Sequence, residues 1–233
     1  MNRRFDDPRI RVGMGRMLAA RQALIDAGSK PIGWKLGFGS PAARDRLGID
    51  APLIGFLTDR TLVASGEAVA IQGWRQPMIE PEVAVYMATD LVDGADPARV
   101  AVAIGALGPA IELADVDADV VEVESIMAAN IFHRAVVLGE SDPGRAGGRR
   151  QGLVARVYSD GEERAATPDL ESLTGEMLTV IGSLADLLNA AGERLRQGEL
   201  VITGSVVPPI PGVGVSEATF ELSPFPPISV RLR

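Results

Sequence analysis

Apolar residues in this chain come in short runs that glycine and proline keep interrupting, and that punctuation limits the fold more than any single motif. Of 233 residues, 26 are Gly and 16 are Pro, so few apolar stretches are long enough for a helix. The clearest exception is 176–191, where Met177, Val180, Ile181, Leu184, Leu187 and Leu188 recur at helical spacing and Gly192 follows as a cap. Residues 10–27 carry a weaker helical pattern ending at Gly28. Ser40-Pro41 and Asp96-Pro97 each pair a capping side chain with proline at the first helical position. Between these helices lie runs that read as strands: 32–38, 67–71, 80–88, 110–114, 135–138, 152–159, 199–203 and 228–232. Asp160-Gly161 marks a hairpin turn, and 124–134 reads as helical. Many short strands among a few helices predict an α+β fold with a mixed or largely antiparallel sheet.

Composition removes whole classes of chemistry. With no Cys there are no disulfides, zinc–thiolate sites, iron–sulfur clusters or cysteine nucleophiles, and a single His rules out a two-histidine metal site. The net charge of -8 argues against nucleic-acid and anionic-membrane partners. The charged opening, 1–8, lacks the apolar core of a signal peptide, and the most apolar window, 100–113, is too short and broken for a membrane span. A soluble, cytoplasmic protein is expected. The polar, Gly-rich stretch 141–151 reads as an exposed loop within one domain spanning 1–233, with a helical segment over 1–30 and a catalytic core over 31–233.

What remains is chemistry of carboxylates, Lys, Arg and hydroxyls, with a hard cation as the natural cofactor. In Glu80-Pro81-Glu82 an extended chain would send both carboxylates to one face, where they repel unless a cation neutralises them. Such a pair can also be plain solvated surface. Glu112 sits inside the apolar run 109–113, where a buried acid needs either an Arg partner or a metal. Three carboxylates suit Mg²⁺ or Mn²⁺. Lys35, in Gly33-Trp-Lys-Leu-Gly37, is either a cation at a close-approach site or a lysine snorkelling from a strand end.

Taken in order, Gly33-Trp-Lys-Leu-Gly37, Gly55-Phe-Leu-Thr-Asp59, Glu80-Pro-Glu-Val-Ala84, Pro109-Ala-Ile-Glu-Leu-Ala-Asp115, Val137-Leu-Gly139 and 198–205 resemble one family. It is the 2-keto-4-pentenoate hydratase / 4-oxalocrotonate decarboxylase branch of the fumarylacetoacetate hydrolase superfamily. The resemblance implies a mixed β-roll with flanking helices. It also implies a Mg²⁺ or Mn²⁺ site on Glu80, Glu82 and Glu112, and a small 2-oxo acid substrate. Lys35 then becomes the acid/base or carboxylate clamp, and Asp59 a polar group near the pocket rather than an ordinary turn carboxylate. Ser40, Asn130, Thr203 and Ser205 are implied as substrate-binding groups, although Thr203 and Ser205 read equally as turn hydrogen bonding. The implied reaction is hydration of a 2-hydroxy-2,4-dienoate in aromatic catabolism, by proton transfer at the far end of the dienol and conjugate addition of water.

The chain departs from that pattern in two places. Pro52 is followed by Leu53 where members of the branch carry an acid, and Ala129-Asn-Ile-Phe132 replaces an Asp-Asn-x-Ser element. Both changes read as apolar groups replacing polar pocket groups. They leave open metal-dependent decarboxylation of a 2-oxo acid, and a catalytically altered scaffold that associates with a homologous decarboxylase or hydratase. A homo-oligomer is also implied. No His precedes His133, so the His–Glu dyad of the superfamily's C–C hydrolases is absent, and His133 itself reads as a helix-end residue, interacting with the dipole or exposed, rather than as a general base.

Overall fold

Proline behind a capping side chain starts three of the five helices of the computed structural model, which describes residues 6–117 and 121–233. The N-terminal charged residues 1–5 lie outside that range. Helix α1 (Pro8–Asp26) begins where Asp7 accepts a 2.9 Å hydrogen bond from the Arg9 amide. In α2 (Pro41–Leu47), Ser40 caps the first turn and Gly48 closes the last with φ 62°. Asp96 does the same for α3 (Pro97–Ala103), accepting from the Ala98 amide at 2.9 Å. Short α4 (Val123–Ala128) is followed by α5 (Met177–Ala190), which Glu176 caps at 2.8 Å from the Thr179 amide and which buries the predicted apolar stripe. No helix of the described residues is long and apolar enough to cross a membrane.

Two curled sheets hold the thirteen described strands. The larger contains β1 (Pro31–Gly37), β2 (Leu53–Thr58), β3 (Leu62–Val63), β5 (Pro77–Met87), β6 (Ile104–Asp115), β7 (His133–Leu138), β10 (Leu200–Ser205) and β11 (Ile210–Pro211), ordered β2-β1-β10-β5-β6-β7-β3 with β11 also on β5. The smaller runs β4 (Ala68–Val69), β13 (Ile228–Leu232), β12 (Glu217–Ser223), β8 (Val154–Ser159), β9 (Glu162–Thr167). Parallel pairs (β1 with β10, β3 with β7, β13 with β4) interrupt an otherwise antiparallel arrangement. One apolar cluster draws residues from both sheets and from all five helices, among them Trp34, Ile111, Phe220 and Leu184. The α+β mixed-sheet expectation is met.

The sequence reading differs from the structure at several elements. Strands β5 and β6 begin earlier than the expected 80–88 and 110–114 and reach 11 and 12 residues, β6 because Pro109 does not end it. Pro81 falls at a seam. Along that flank β5 pairs with β10 as far as Glu82 and resumes with β11 at Ile79, so a missing N–H there breaks no ladder bond. Strands β2 and β12 went unrecognised. The predicted helix over 124–134 stops at Ala128, since Asn130, Ile131 and Phe132 take φ of 52°, 49° and 62° and His133 opens β7. Three consecutive non-glycine residues in left-handed conformation are costly, roughly 1–3 kcal/mol each, and such strain collects where the surrounding structure requires it.

Candidate metal centre and active site

The central ladder of the large sheet brings the acids together. Glu80 on β5 pairs directly with Glu112 on β6, and Glu82 follows two residues along on the same face. One carboxylate oxygen from each of Glu80, Glu82 and Glu112 lies within 4.8 Å of the others. A bulge in β10 between Ile202 and Ser205 turns the Gly204 amide, at φ 97°, onto Glu82 Oε2, which accepts at 2.6 Å. Glu82 Oε1 is left buried without a partner.

Glu112 is divided in the same way. Its Oε1 accepts from Lys35 Nζ and lies 2.6 Å from His133 Nδ1, while Oε2 is buried and unpartnered. Lys35 also donates to the Ile131 carbonyl at 3.2 Å. The lysine stem lies across Gly55, where a Cβ would meet Lys35 Cγ at 2.8 Å and Asn130 Oδ1 at 2.6 Å. Glycine is therefore required in β2. A hard divalent cation would fit this donor set, three carboxylates with two oxygens unpartnered, no sulfur and no nitrogen, and Glu80, Glu82 and Glu112 would hold it.

Charge supports the same fit. Burial, joined by the negative charge of Glu112, lifts the Glu80 carboxyl to about 7. Burial and the neighbouring carboxylates raise Glu82 well above the usual range. Burial would raise Glu112 too, but the Lys35 ammonium and the His133 hydrogen bond outweigh it and hold that carboxyl at about 2. Three carboxylates against one ammonium leave two negative charges. The raised Glu80 and Glu82 carboxyls favour taking up protons that offset this charge, and a divalent cation would displace such protons.

Beside the acids opens a cavity of about 540 Å³. Lys35, Glu80, Thr203, Ser205 and Ser40 are among the residues that line it. The hydroxyls of Thr203 and Ser205 donate to Val83 O at 3.1 Å and Val207 O at 2.7 Å, so both present lone pairs to the cavity, whereas Ser40 Oγ accepts from the Ala43 amide and keeps its own O–H to donate. Asp59 is not brought to this cavity. It is exposed at the far end of β2, accepting from the Lys30 amide at 2.9 Å, and has the bland role of a turn carboxylate.

Asn130 is not among the lining residues either. Its side chain clamps the Phe56 backbone, accepting from N at 2.7 Å and donating to O at 3.0 Å, and so braces the left-handed turn that aims Ile131 O at Lys35. Of the three apolar departures only Phe132 lines the cavity, whereas Leu53 is core and Ala129 is exposed. His133 corrects the sequence reading most sharply. It is buried at the start of β7, with Nε2 2.9 Å from Thr61 Oγ1, and burial pushes its ring below the usual histidine value against the pull of Glu112. A register shift between Leu113 and Ala114 sets it beside Glu112, and no periodicity signals such a shift. The Gly204 amide and the Ile131 carbonyl went equally unseen, because they are backbone groups.

Known proteins share this architecture. The chain is 29% identical over 192 residues, 80% of its length and 70% of the relative's, to 2-keto-4-pentenoate hydratase of Paraburkholderia xenovorans (strain LB400). It is 27% identical over 195 residues, 80% and 71% of the two chains, to 4-oxalocrotonate decarboxylase of Pseudomonas putida. The structure of 4-oxalocrotonate decarboxylase from Pseudomonas putida G7, complexed with magnesium and adipate, matches 93% of this chain and 83% of its own with a TM-score of 0.83 at 24% identity, which shows a common fold. The profile of the fumarylacetoacetate (FAA) hydrolase C-terminal family matches residues 35–224, and the chain belongs to that family.

Proposed function

We propose that the protein is a metal-dependent lyase of small 2-oxo acids or their enols, acting as a hydratase that converts a 2-hydroxy-2,4-dienoate to a 4-hydroxy-2-oxo acid. The observation that carries this reading is the cluster of Glu80, Glu82 and Glu112 beside Lys35, in which Glu82 Oε1 and Glu112 Oε2 are buried without a partner. Glu80, Glu82 and Glu112 would hold Mg²⁺ or Mn²⁺, which supplies Lewis-acid polarisation of a chelating 2-oxo acid.

The chain's own groups supply the rest. Two of the three Lys35 N–H donors are committed, to Glu112 and to Ile131 O, which fixes the ammonium and leaves one donor for a substrate carboxylate or enol oxygen. That donor also lies where a proton can pass to or from the substrate's oxygen. Lone pairs of Thr203 and Ser205 can orient the water that adds across the unsaturated ketone. Gly55 and the clamped Asn130 turn hold Lys35 in place without entering the reaction.

One observation favours a second reading, decarboxylation of a 2-oxo dioic acid. Besides Lys35 and Glu80, Arg46 is the only ionisable group of the lining among the described residues, and Asp59 stands elsewhere. Loss of CO₂ leaves only one carbon to be protonated, so it asks less of proton-transfer groups than hydration does. Incubation of Mg²⁺-loaded protein with 2-hydroxypenta-2,4-dienoate, and separately with 4-oxalocrotonate, decides between them. Consumption of the dienoate to the hydroxy-oxo acid supports hydration. CO₂ release from the dioic acid with an inert dienoate replaces it by the second reading, and inertness toward both removes the lyase assignment.

A further inference from the structure

The sheet floor beside the acids works as a ruler for the substrate. On β5 the residues facing the cavity are Glu80, Met78 and, just before the strand, Gln76. Across the ladder Glu80 pairs with Glu112 and Met78 with Ala114, and Val116 donates its amide to Gln76 O at 3.0 Å. Each two-residue step outward covers roughly 7 Å. The first row from the acids is thus wholly uncharged, Met78 against Ala114, and the next pairs Gln76 with Val116.

Two aromatic side chains belong to the same lining. Phe38 and Phe132 line the cavity, and both are held at positive φ, 56° and 62°, by the turns that follow β1 and precede β7. Two phenylalanines held in a conformation that disfavours them add ring surface to the lining that Met78 and Ala114 share. Arg46, the one further cation of the lining among the described residues, does not contradict this. It is exposed and belongs to the last turn of α2, where a cation complements the helix's terminal carbonyls. The volume of about 540 Å³ lies within the ~300–1,000 Å³ typical of pockets for much larger ligands than a minimal dienoate.

We propose that the enzyme selects 2-oxo acids, or their enols, whose far end is an uncharged alkyl or aryl group seated over Met78, Ala114 and Val116 beneath Phe38 and Phe132. The proposal rests on the 2-oxo acid reading above and names its substrate class. The acids and Lys35 take the polar head of the substrate, and the uncharged row takes the tail. A terminal carboxylate there would lose its water to Met78 and ring surface without gaining a buried partner.

Calorimetric titration of the Mg²⁺-loaded full chain with pyruvate, 2-oxohexanoate, 4-phenyl-2-oxobutanoate and 2-oxoadipate tests it without needing turnover. Burial of the added methylenes should make 2-oxohexanoate and the phenyl acid bind about tenfold or more tighter than pyruvate, and tighter than 2-oxoadipate. Met78→Gln should erase most of that advantage while leaving pyruvate unchanged, which controls for folding and metal. Arg46→Gln should leave 2-oxohexanoate unaffected. The proposal is overturned if 2-oxoadipate binds as well as or better than 2-oxohexanoate, above all if Arg46→Gln removes that preference. Absence of Mg²⁺-dependent binding by any of the four acids instead overturns the 2-oxo acid reading itself, and this proposal with it.

Discussion

His133 Nδ1 stands 2.6 Å from Glu112 Oε1, on the oxygen that Lys35 also holds, so the opposite oxygen of Glu112 is the one turned free. Glu112 is ionised, which means Nδ1 carries the proton and donates it. Thr61, 2.9 Å from Nε2, fixes the ring from behind. The histidine is thus a positioning residue for the carboxylate.

Replacing it should loosen metal binding before it damages anything else. His133→Ala is expected to weaken Mn²⁺ affinity by ~10–100-fold, as loss of an orienting partner does in other metal sites. His133→Asn, which keeps a donor, should recover part of that. Titration followed by the Mn²⁺ paramagnetic signal reads both, and unchanged affinity in His133→Ala would show that Glu112 needs no such support.

Stability should depend on pH in an unusual direction when metal is absent. A carboxyl held above its unfolded value binds more protons in the folded state, so stability falls as pH rises toward the folded value. Glu80, at about 7, and Glu82, raised well above the usual range, both act this way. His133 acts oppositely, but only below its ordinary value of 6.5, and Glu112 is ionised throughout. Chelator-treated protein should therefore lose melting temperature between pH 6.5 and 8, and saturating Mg²⁺ should abolish the loss. A flat or rising profile without metal would contradict the charge assignment.

Metal uptake should release protons, up to two near neutral pH and fewer as pH rises. Mg²⁺ titrations in buffers of different ionisation enthalpy measure the number directly. No proton release at pH 6.5 would mean that Glu80 and Glu82 are already ionised.

Lys35→Met keeps the stem that packs on Gly55 and removes the charge. Removing one partner of a buried ion pair typically costs ~3–5 kcal/mol, and here the cost should shrink once a divalent cation is bound. Turnover should fall by ~10²–10⁴, the usual contribution of a positioned acid–base group. Full activity in Lys35→Met would remove Lys35 from the mechanism.

Asn130→Ala should disturb catalysis from outside the cavity. It deletes two hydrogen bonds to Phe56, worth about 1 kcal/mol each, and leaves alanine in a left-handed turn. Melting temperature and Lys35-dependent turnover should drop together while Mn²⁺ affinity changes little. Retention of both would show that the turn is held by packing alone.

Much of this was readable in the sequence because it depends on local chemistry. Asp7, Ser40 and Asp96 start helices as their side chains dictate, and alternation in Glu80-Pro81-Glu82 sends both acids to one face. What escaped is set by departures from regular geometry. Asn130, Ile131 and Phe132 fit a helical period yet adopt left-handed backbone, because the Phe56 clamp and the Lys35–carbonyl bond impose it. His133 and the Gly204 amide reach their carboxylates only through register shifts, and Asp59 was drawn into the site by a motif whose strand points its far end away.

The extra residue in β10 carries a consequence for chain length. Loops such as 141–151 and the turn at Asp160-Gly161 can gain or lose residues without reaching the acids. Deleting Gly204 would flatten the strand, remove the amide that Glu82 accepts from, and leave a second Glu82 oxygen bare in the interior. Indels are thus tolerated around this protein's rim and prohibited at one residue of its central sheet.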